Sequence, residues 1–188
     1  IIDIGGGTSE IAVISLGGIV KTSSFRVAGD RFDTTIIDYV RQKHNLLIGE
    51  RTAEEIKKKI GAVMDLEEEE CIEISGRNAL NGLPRDIKIC SSEIVEALGD
   101  LVQQIIEEVK VILEKTPPEL SSDIKRKGLY ITGGGALLRG IDKKISENLN
   151  LNVTVSEDPL NSVINGIQVL LKNFDVYKKV LISPESDY

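Results

Sequence analysis

Tryptophan is absent and aromatic residues make up only 4% of the 188 residues, so the interior has to be assembled from Ile, Leu and Val. That composition is common among α/β proteins, and 41% hydrophobic residues suffice for one compact domain carrying a smaller lobe. Basic residues are in deficit: 23 Lys and Arg against 30 Asp and Glu leave a net charge of −7, and Lys57-Lys58-Lys59 is the one compact basic run. A nucleic-acid surface, which needs clustered cations, is thereby excluded, and the run reads as a solvated helix face. Cysteine is scarce. Cys71 and Cys90 lie far apart, without a CxxC pair or neighbouring histidines, and are expected as reduced thiols in a cytosolic compartment. His44 is the only histidine and sits in a polar run, where a surface position is expected, so zinc and Ser/His catalysis lack raw material. No apolar run reaches the roughly 18 to 20 residues of a membrane span, and no signal-peptide pattern precedes the first strand. The chain opens at Ile1 without a methionine, inside an apolar segment, so it is expected to be part of a longer protein.

What is present is ordered punctuation. Ile1 to Ile4, Glu10 to Ser15 and Ile19 to Val27 read as three consecutive strands joined by Gly5-Gly6-Gly7 and Gly17-Gly18. Asp30 is expected to cap a helix through about Lys43, with Phe32, Ile36, Ile37 and Val40 on one face. A second helix is expected from Thr52, whose T-x-x-E spacing to Glu55 has the form of a capping box, with its stop at Gly61. Alternation at residues 70–75 and 85–90, around a Gly- and Asn-rich stretch, predicts a hairpin. The acidic run Glu67 to Glu70 reads as a solvated loop before it. Ser91 or Ser92 is expected to cap the longest helix, which carries Ile94, Leu98, Leu101, Ile105, Val109 and Ile112 to a stop at Pro117-Pro118. It should lie as core against a sheet. Beyond it come a strand at 129–132, a helix at 136–149, a strand at 151–155 and a helix at 160–171.

A three-strand meander followed by alternating helices and strands departs from a dinucleotide-binding order, where a helix follows the first strand, and suits a ribonuclease-H-like half. The expected divisions are 1–28 with 91–172 as the main α/β subdomain, 29–90 as an inserted α+β lobe, and 173–188 as a loose tail.

Two glycine runs carry the chemistry. DIGGGTSE, Asp3 to Glu10, places three glycines between two strands, a hairpin tip whose amides can approach a phosphate. Thr8 adds a hydroxyl, and Asp3, at the end of an apolar strand, can face the water shell of a magnesium ion. Alone, the run is equally well explained as a tight hairpin. TGGGALLRG, Thr132 to Gly140, places three more glycines between a strand and a helix, where free amides meet a nucleotide. Neither run fits GxxxxGK[ST] or GxGxxG. Together they point to a Mg-nucleotide.

The stretches DIGGGTSEIAVISLGGIV, VAGDRFDTTIIDYV, LLIGERTAEEIKKKIG, EKTPPELSSDI and ITGGGALLRGID, in this order, resemble the bacterial actin (MreB/Mbl) family within the actin, heat-shock chaperone and sugar-kinase ATPases. The resemblance covers nearly the whole chain and implies the C-terminal half of such a protein: a mixed sheet with flanking helices and an inserted smaller lobe. It implies ATP and Mg2+ as cofactors. Gly6, Gly7 and Thr8 would form a phosphate loop, with Asp3 reaching magnesium through water and Thr8 helping to hold the hydrolytic water. Glu54, Glu55, Ile56 and Lys57 would lie beside ribose and base, and Gly134, Gly135, Ala136 and Leu137 beneath the nucleotide. The family's first phosphate loop and its water-polarising glutamate lie upstream of Ile1, so this chain alone is expected not to hydrolyse ATP measurably.

The same resemblance implies self-association into filaments beneath the cytoplasmic membrane, partnership with cell-wall synthesis and elongation proteins, and control of rod shape, with membrane contact made by the other half. A chaperone-type ATPase or small-molecule kinase on this scaffold could use DIGGGT and TGGG equally well, although GERTAEEIK and KTPPEL speak against it. A non-enzymatic interaction module is the remaining alternative.

Overall fold

The computed structural model describes residues 1–178. Strands β1 (Ile2–Ile4), β2 (Ser9–Ser15) and β3 (Gly18–Phe25) form an antiparallel meander, with Ile2 opposite Ile11 and Ile4 opposite Ser9. Helix α1 (Gly29–His44), the two-residue strand β4 (Leu46–Leu47) and helix α2 (Glu50–Ile60) follow. The hairpin of β5 (Cys71–Asn78) and β6 (Pro84–Cys90) leads into the 24-residue helix α3 (Ser91–Glu114). Helix α4 (Pro118–Lys127) precedes strand β7 (Leu129–Thr132), a 3-10 turn at Gly134–Leu137, helix α5 (Ile141–Leu149), strand β8 (Val153–Val155), and helices α6 (Ser162–Lys172) and α7 (Phe174–Tyr177).

Two sheets result. The larger has the order β3-β2-β1-β7-β8, antiparallel through the meander and parallel from β1 to β7 to β8; the smaller has the order β4-β5-β6. The central strand β1 buries Ile2 and Ile4 completely. Helix α3 is the main partner of the larger sheet: Ile94, Leu98, Val102, Ile105 and Val109 recur at three- and four-residue steps and are almost wholly buried. Phe32, Ile36 and Val40 of α1 and Ala53, Ile56 and Ile60 of α2 join the same continuous core. This is the mixed sheet with flanking helices anticipated from the order of elements.

Several local expectations fail for identifiable reasons. Asp30 does not cap α1, because the helix already begins at Gly29 after an extended Ala28. The Thr52–Glu55 capping box does not form: α2 starts two residues earlier, its N-cap is Gly49, and Glu55 pairs along the helix with Lys59 instead. The cap of α3 is Cys90 rather than Ser91 or Ser92, and Glu93 closes back on the Cys90 amide at 3.0 Å. Pro118 begins α4 rather than merely ending α3, as a proline at a first helical position can. The helix expected from Ala136 begins only at Ile141, because a 3-10 turn occupies 134–137 and Gly140 takes a left-handed conformation. Strand β4 was too short to leave a period. His44 is half-buried, its ring nitrogen 2.5 Å from a Glu93 carboxylate oxygen. Cys71 and Cys90 are not free thiols but form a disulfide across the root of the β5–β6 hairpin. In the expected loose tail, 174–177 is helical, and 179–188 lies outside the described residues.

Candidate functional site

The strand order brings the two glycine runs together. β1 and β7 are parallel neighbours, so the segments leaving their C-terminal ends, Gly5-Gly6-Gly7 and Gly133-Gly134-Gly135, emerge on the same edge of the sheet. Ligands of open α/β sheets bind at the carboxyl ends of strands. A cavity of about 610 Å³ opens there, bounded by Asp3, Gly6, the start of α1, the Lys57 face of α2, and Gly133 to Gly135. A second, largely apolar groove of about 440 Å³ lies between the far ends of β2 and α3 and contains neither glycine run.

Hydrogen bonds fix the walls. The Gly5 amide donates to the Thr8 carbonyl at 3.0 Å and closes the first turn. That turn is tied to α1, because the amides of Gly29 and Asp30 donate to the carbonyls of Gly5 and Gly6 at 3.0 and 2.8 Å. The second turn rests on β1. Gly133 has a φ of +81°, and a Cβ there would stand 2.3 Å from Asp3 Oδ1 and 2.4 Å from the Ile4 carbonyl oxygen. A Cβ at Gly135 would stand 2.2 Å from Ile4 Cγ2. The Gly133 amide also donates to the Pro159 carbonyl at 2.9 Å, which brings the segment before α6 to the rim.

Lys57 joins α2 to α1. Its Nζ donates to Asp33 Oδ2 at 2.7 Å and to the Gly29 carbonyl at 3.1 Å, and both charged side chains are largely shielded from solvent. Burial pushes the Asp33 carboxyl above its ordinary range; the hydrogen bond and charge of Lys57 oppose this, while Glu54 and Asp30 add to it. Asp33 Oδ1 is buried and has no hydrogen-bond partner among the described residues. Asp3 is half-buried at the end of β1, and burial, followed by the nearby Glu10, raises its carboxyl as well. An incoming cation would relieve that penalty.

The expected site residues separate into two groups. Asp3, Gly6, Glu54, Lys57, Gly134, Gly135 and Leu137 line the cavity. Gly7, Thr8, Glu55, Ile56 and Ala136 do not: Gly7 and Thr8 are exposed next to the lining residue Gly6, Glu55 pairs with Lys59, and Ile56 and Ala136 are buried in the core. Lining residues without a sequence expectation as site residues include Asp30, Asp33, Lys58 and Leu160. Asp30 and Asp33 did leave a trace, as two acids three residues apart beside the apolar face of α1. The ion pair with Lys57 joins two helices and leaves none.

The donor set fits a magnesium-bound nucleotide: amides of two glycine turns for phosphate and a raised carboxyl for a hydrated cation.

Comparison with known proteins agrees with this architecture. The family model described as "MreB/Mbl protein" matches residues 1–179. The cell shape-determining protein Mbl of Bacillus cereus is 49% identical over 175 residues, 93% of this chain and 53% of its own length. The cell shape-determining protein MreB of Escherichia coli is 48% identical over 185 residues, 98% of this chain and 53% of its own. The crystal structure of MreB5 of Spiroplasma citri bound to AMPPNP superposes with a TM-score of 0.91 at 42% identity, covering 95% of this chain and 54% of that one. The chain thus spans about half the length of the curated relatives it matches. With the meander, the two glycine turns at one sheet edge and a family match along almost every residue, this chain belongs to the MreB/Mbl family of bacterial actin-like proteins.

Proposed function

We propose that this chain forms one wall of an ATP site in a filament-forming, shape-determining protein. The observation that carries the reading is the convergence of both glycine turns and the Lys57–Asp33 pair on one cavity of about 610 Å³. The AMPPNP bound by a relative at 42% identity supports the choice of nucleotide. Gly6 and Gly134 to Gly135 would take the phosphates. Asp3 would reach Mg2+ through water, and Glu54 and Lys57 would border the sugar and base. Bound magnesium supplies charge neutralisation at the phosphates, and Thr8, exposed just beyond the cavity lining, would steady a water near them.

Hydrolysis is assigned to the whole protein. A cleft with one wall leaves the phosphates hydrated, and the preorganised electrostatic stabilisation that phosphoryl transfer needs is then weak. The opposing wall belongs to the half of the relatives' length that this chain does not span. Polymerisation would place filaments beneath the cytoplasmic membrane, where they would organise cell-wall synthesis. Among the described residues no helix is long and apolar enough to cross a membrane. No observation favours a kinase, a chaperone-type ATPase or a nucleotide-free module over this reading.

Calorimetric titration of Mg-ATP into the protein of the relatives' full length tests it. Gly135→Val, whose side chain would collide with Ile4, is expected to weaken binding by at least about tenfold. Glu55→Ala is expected to leave affinity unchanged, because Glu55 faces solvent with Lys59. Sedimentation with and without nucleotide reads filament formation. Unaltered affinity in Gly135→Val would displace the assigned site, and tight binding without nucleotide-dependent pelleting would separate the ATP site from the filament reading.

A further inference from the structure

The two cysteines lie away from the nucleotide cavity, and the proposed function does not use them. Cys71 opens β5 and Cys90 ends β6, directly opposite each other in register, with their sulfurs bonded. The bond closes the hairpin at the end opposite its turn. That matters because the third strand of this sheet, β4, contributes only two residues. A two-stranded ribbon is marginal alone, so a covalent tie at its root weighs more here than in a broad sheet.

The two sulfurs differ in surroundings. Cys90 occupies the N-cap of the 24-residue α3, a position where serine or threonine is usual, and its side chain faces the first turn of the helix. The positive end of a helix favours a thiolate. Cys71 stands at a strand end without such support, while a Glu69 carboxylate oxygen within 4.8 Å of both sulfurs opposes negative charge on either one. Both residues are partly exposed, so small reagents can reach them.

We propose that Cys71 and Cys90 constitute a reversible redox site, oxidised by a low-molecular-weight disulfide, with Cys90 as the attacking thiol. The Cys90 thiolate attacks one sulfur of the small disulfide; a Cys90–S bond forms, the small disulfide bond breaks, and one small thiolate leaves. Cys71 then gives up its proton and attacks the Cys90 sulfur, displacing the second small thiolate. The protein is oxidised by two electrons, the reagent is reduced to two thiols, and the two protons released by the cysteines are taken up by those thiols. A thiol reductant reverses both steps.

The site sits at a structural seam. Glu70, beside Cys71, accepts from Arg139 at 2.6 Å; Arg139 also donates to the Lys59 carbonyl at 2.8 Å, near the end of α2, and Glu70 accepts from the Ser91 amide at 2.8 Å. Oxidation ties the two strands of the hairpin root together beside these contacts, and reduction removes that tie.

The test equilibrates the protein with oxidised glutathione or with dithiothreitol, followed by alkylation and intact-mass measurement. The oxidised sample is expected to lose two hydrogen masses and resist alkylation. Its β5–β6 amides should exchange about tenfold more slowly, and its Tm should lie about 5–10 °C higher. Cys71→Ser should form a mixed disulfide with glutathione about fivefold faster than Cys90→Ser. Full alkylation of both cysteines in excess oxidised glutathione would overturn the site, and equal rates in the two variants would overturn the role of Cys90. Identical exchange in the two states would overturn the structural consequence. The wild-type comparisons need no substitution, so they stand even if a variant fails to fold.

Discussion

Gly133→Ala is expected to destabilise the protein by about 3–4 kcal/mol, the sum of a left-handed backbone penalty and an overpacked contact. The position has a φ of +81°, and its missing side chain leaves room for Asp3 Oδ1 and the Ile4 carbonyl, both of which a Cβ would meet below 2.5 Å. The neighbours cannot simply yield, because Ile4 belongs to the central strand and is completely buried. For a domain of this size the loss corresponds to a fall in Tm of roughly 10 °C. Gly134→Ala is the control: its φ is not positive, and an added Cβ would touch only Leu160 Cδ2 at 3.4 Å, so its effect should stay within about 1 kcal/mol. Thermal and urea unfolding of the two variants decide the matter. Equal stability would mean that the second glycine turn is not held against β1.

The contrast between these neighbouring glycines shows what a sequence can and cannot disclose. GGG announces a turn, and two such runs beside apolar strands announce a shared site, because strand ends and glycines are local features. Which glycine is indispensable depends on Asp3 and Ile4, more than 125 positions away in the chain. The long helix was legible for the same local reason: its apolar residues repeat along one face and bury against the sheet. The caps were not. Thr52 and Glu55 satisfy a capping pattern, yet Gly49 starts the helix earlier and leaves Glu55 to Lys59. Of the residues expected around ribose and base, Glu54 and Lys57 face the cavity, whereas Glu55 and Ile56 turn away, as helical geometry requires of residues between them. The cysteines were misread because each sits in a separate alternating stretch, and only the hairpin register makes them opposite. Asp33 left only the trace of an acid beside the apolar face of α1, and its pairing was hidden because Lys57 arrives on another helix.

That partnership gives the second large effect. Lys57→Met should destabilise the protein by about 2–3 kcal/mol and weaken Mg-ATP binding by about tenfold or more. The substitution keeps the aliphatic stem but removes the donor to Asp33 and to the Gly29 carbonyl, leaving a shielded carboxylate without its cation. Burial already raises the Asp33 carboxyl above its ordinary value of 3.8, against the opposition of Lys57. Removing Lys57 leaves burial, Glu54 and Asp30 all pushing the same way, so the folded-state value rises further. A carboxyl raised on folding adds stability that is fully present below its unfolded value and is lost as pH rises through its folded value. The defect of Lys57→Met should therefore be smallest near pH 4 and grow until Asp33 is fully ionised. In the double variant Lys57→Met/Asp33→Asn no buried charge remains, so part of the stability should return and the pH dependence of the defect should vanish. Urea unfolding of the wild type, both single variants and the double variant between pH 4 and pH 8 measures the coupling. A defect independent of pH would show that Lys57 acts through packing alone, and additive single effects would show that the two side chains do not act as a pair.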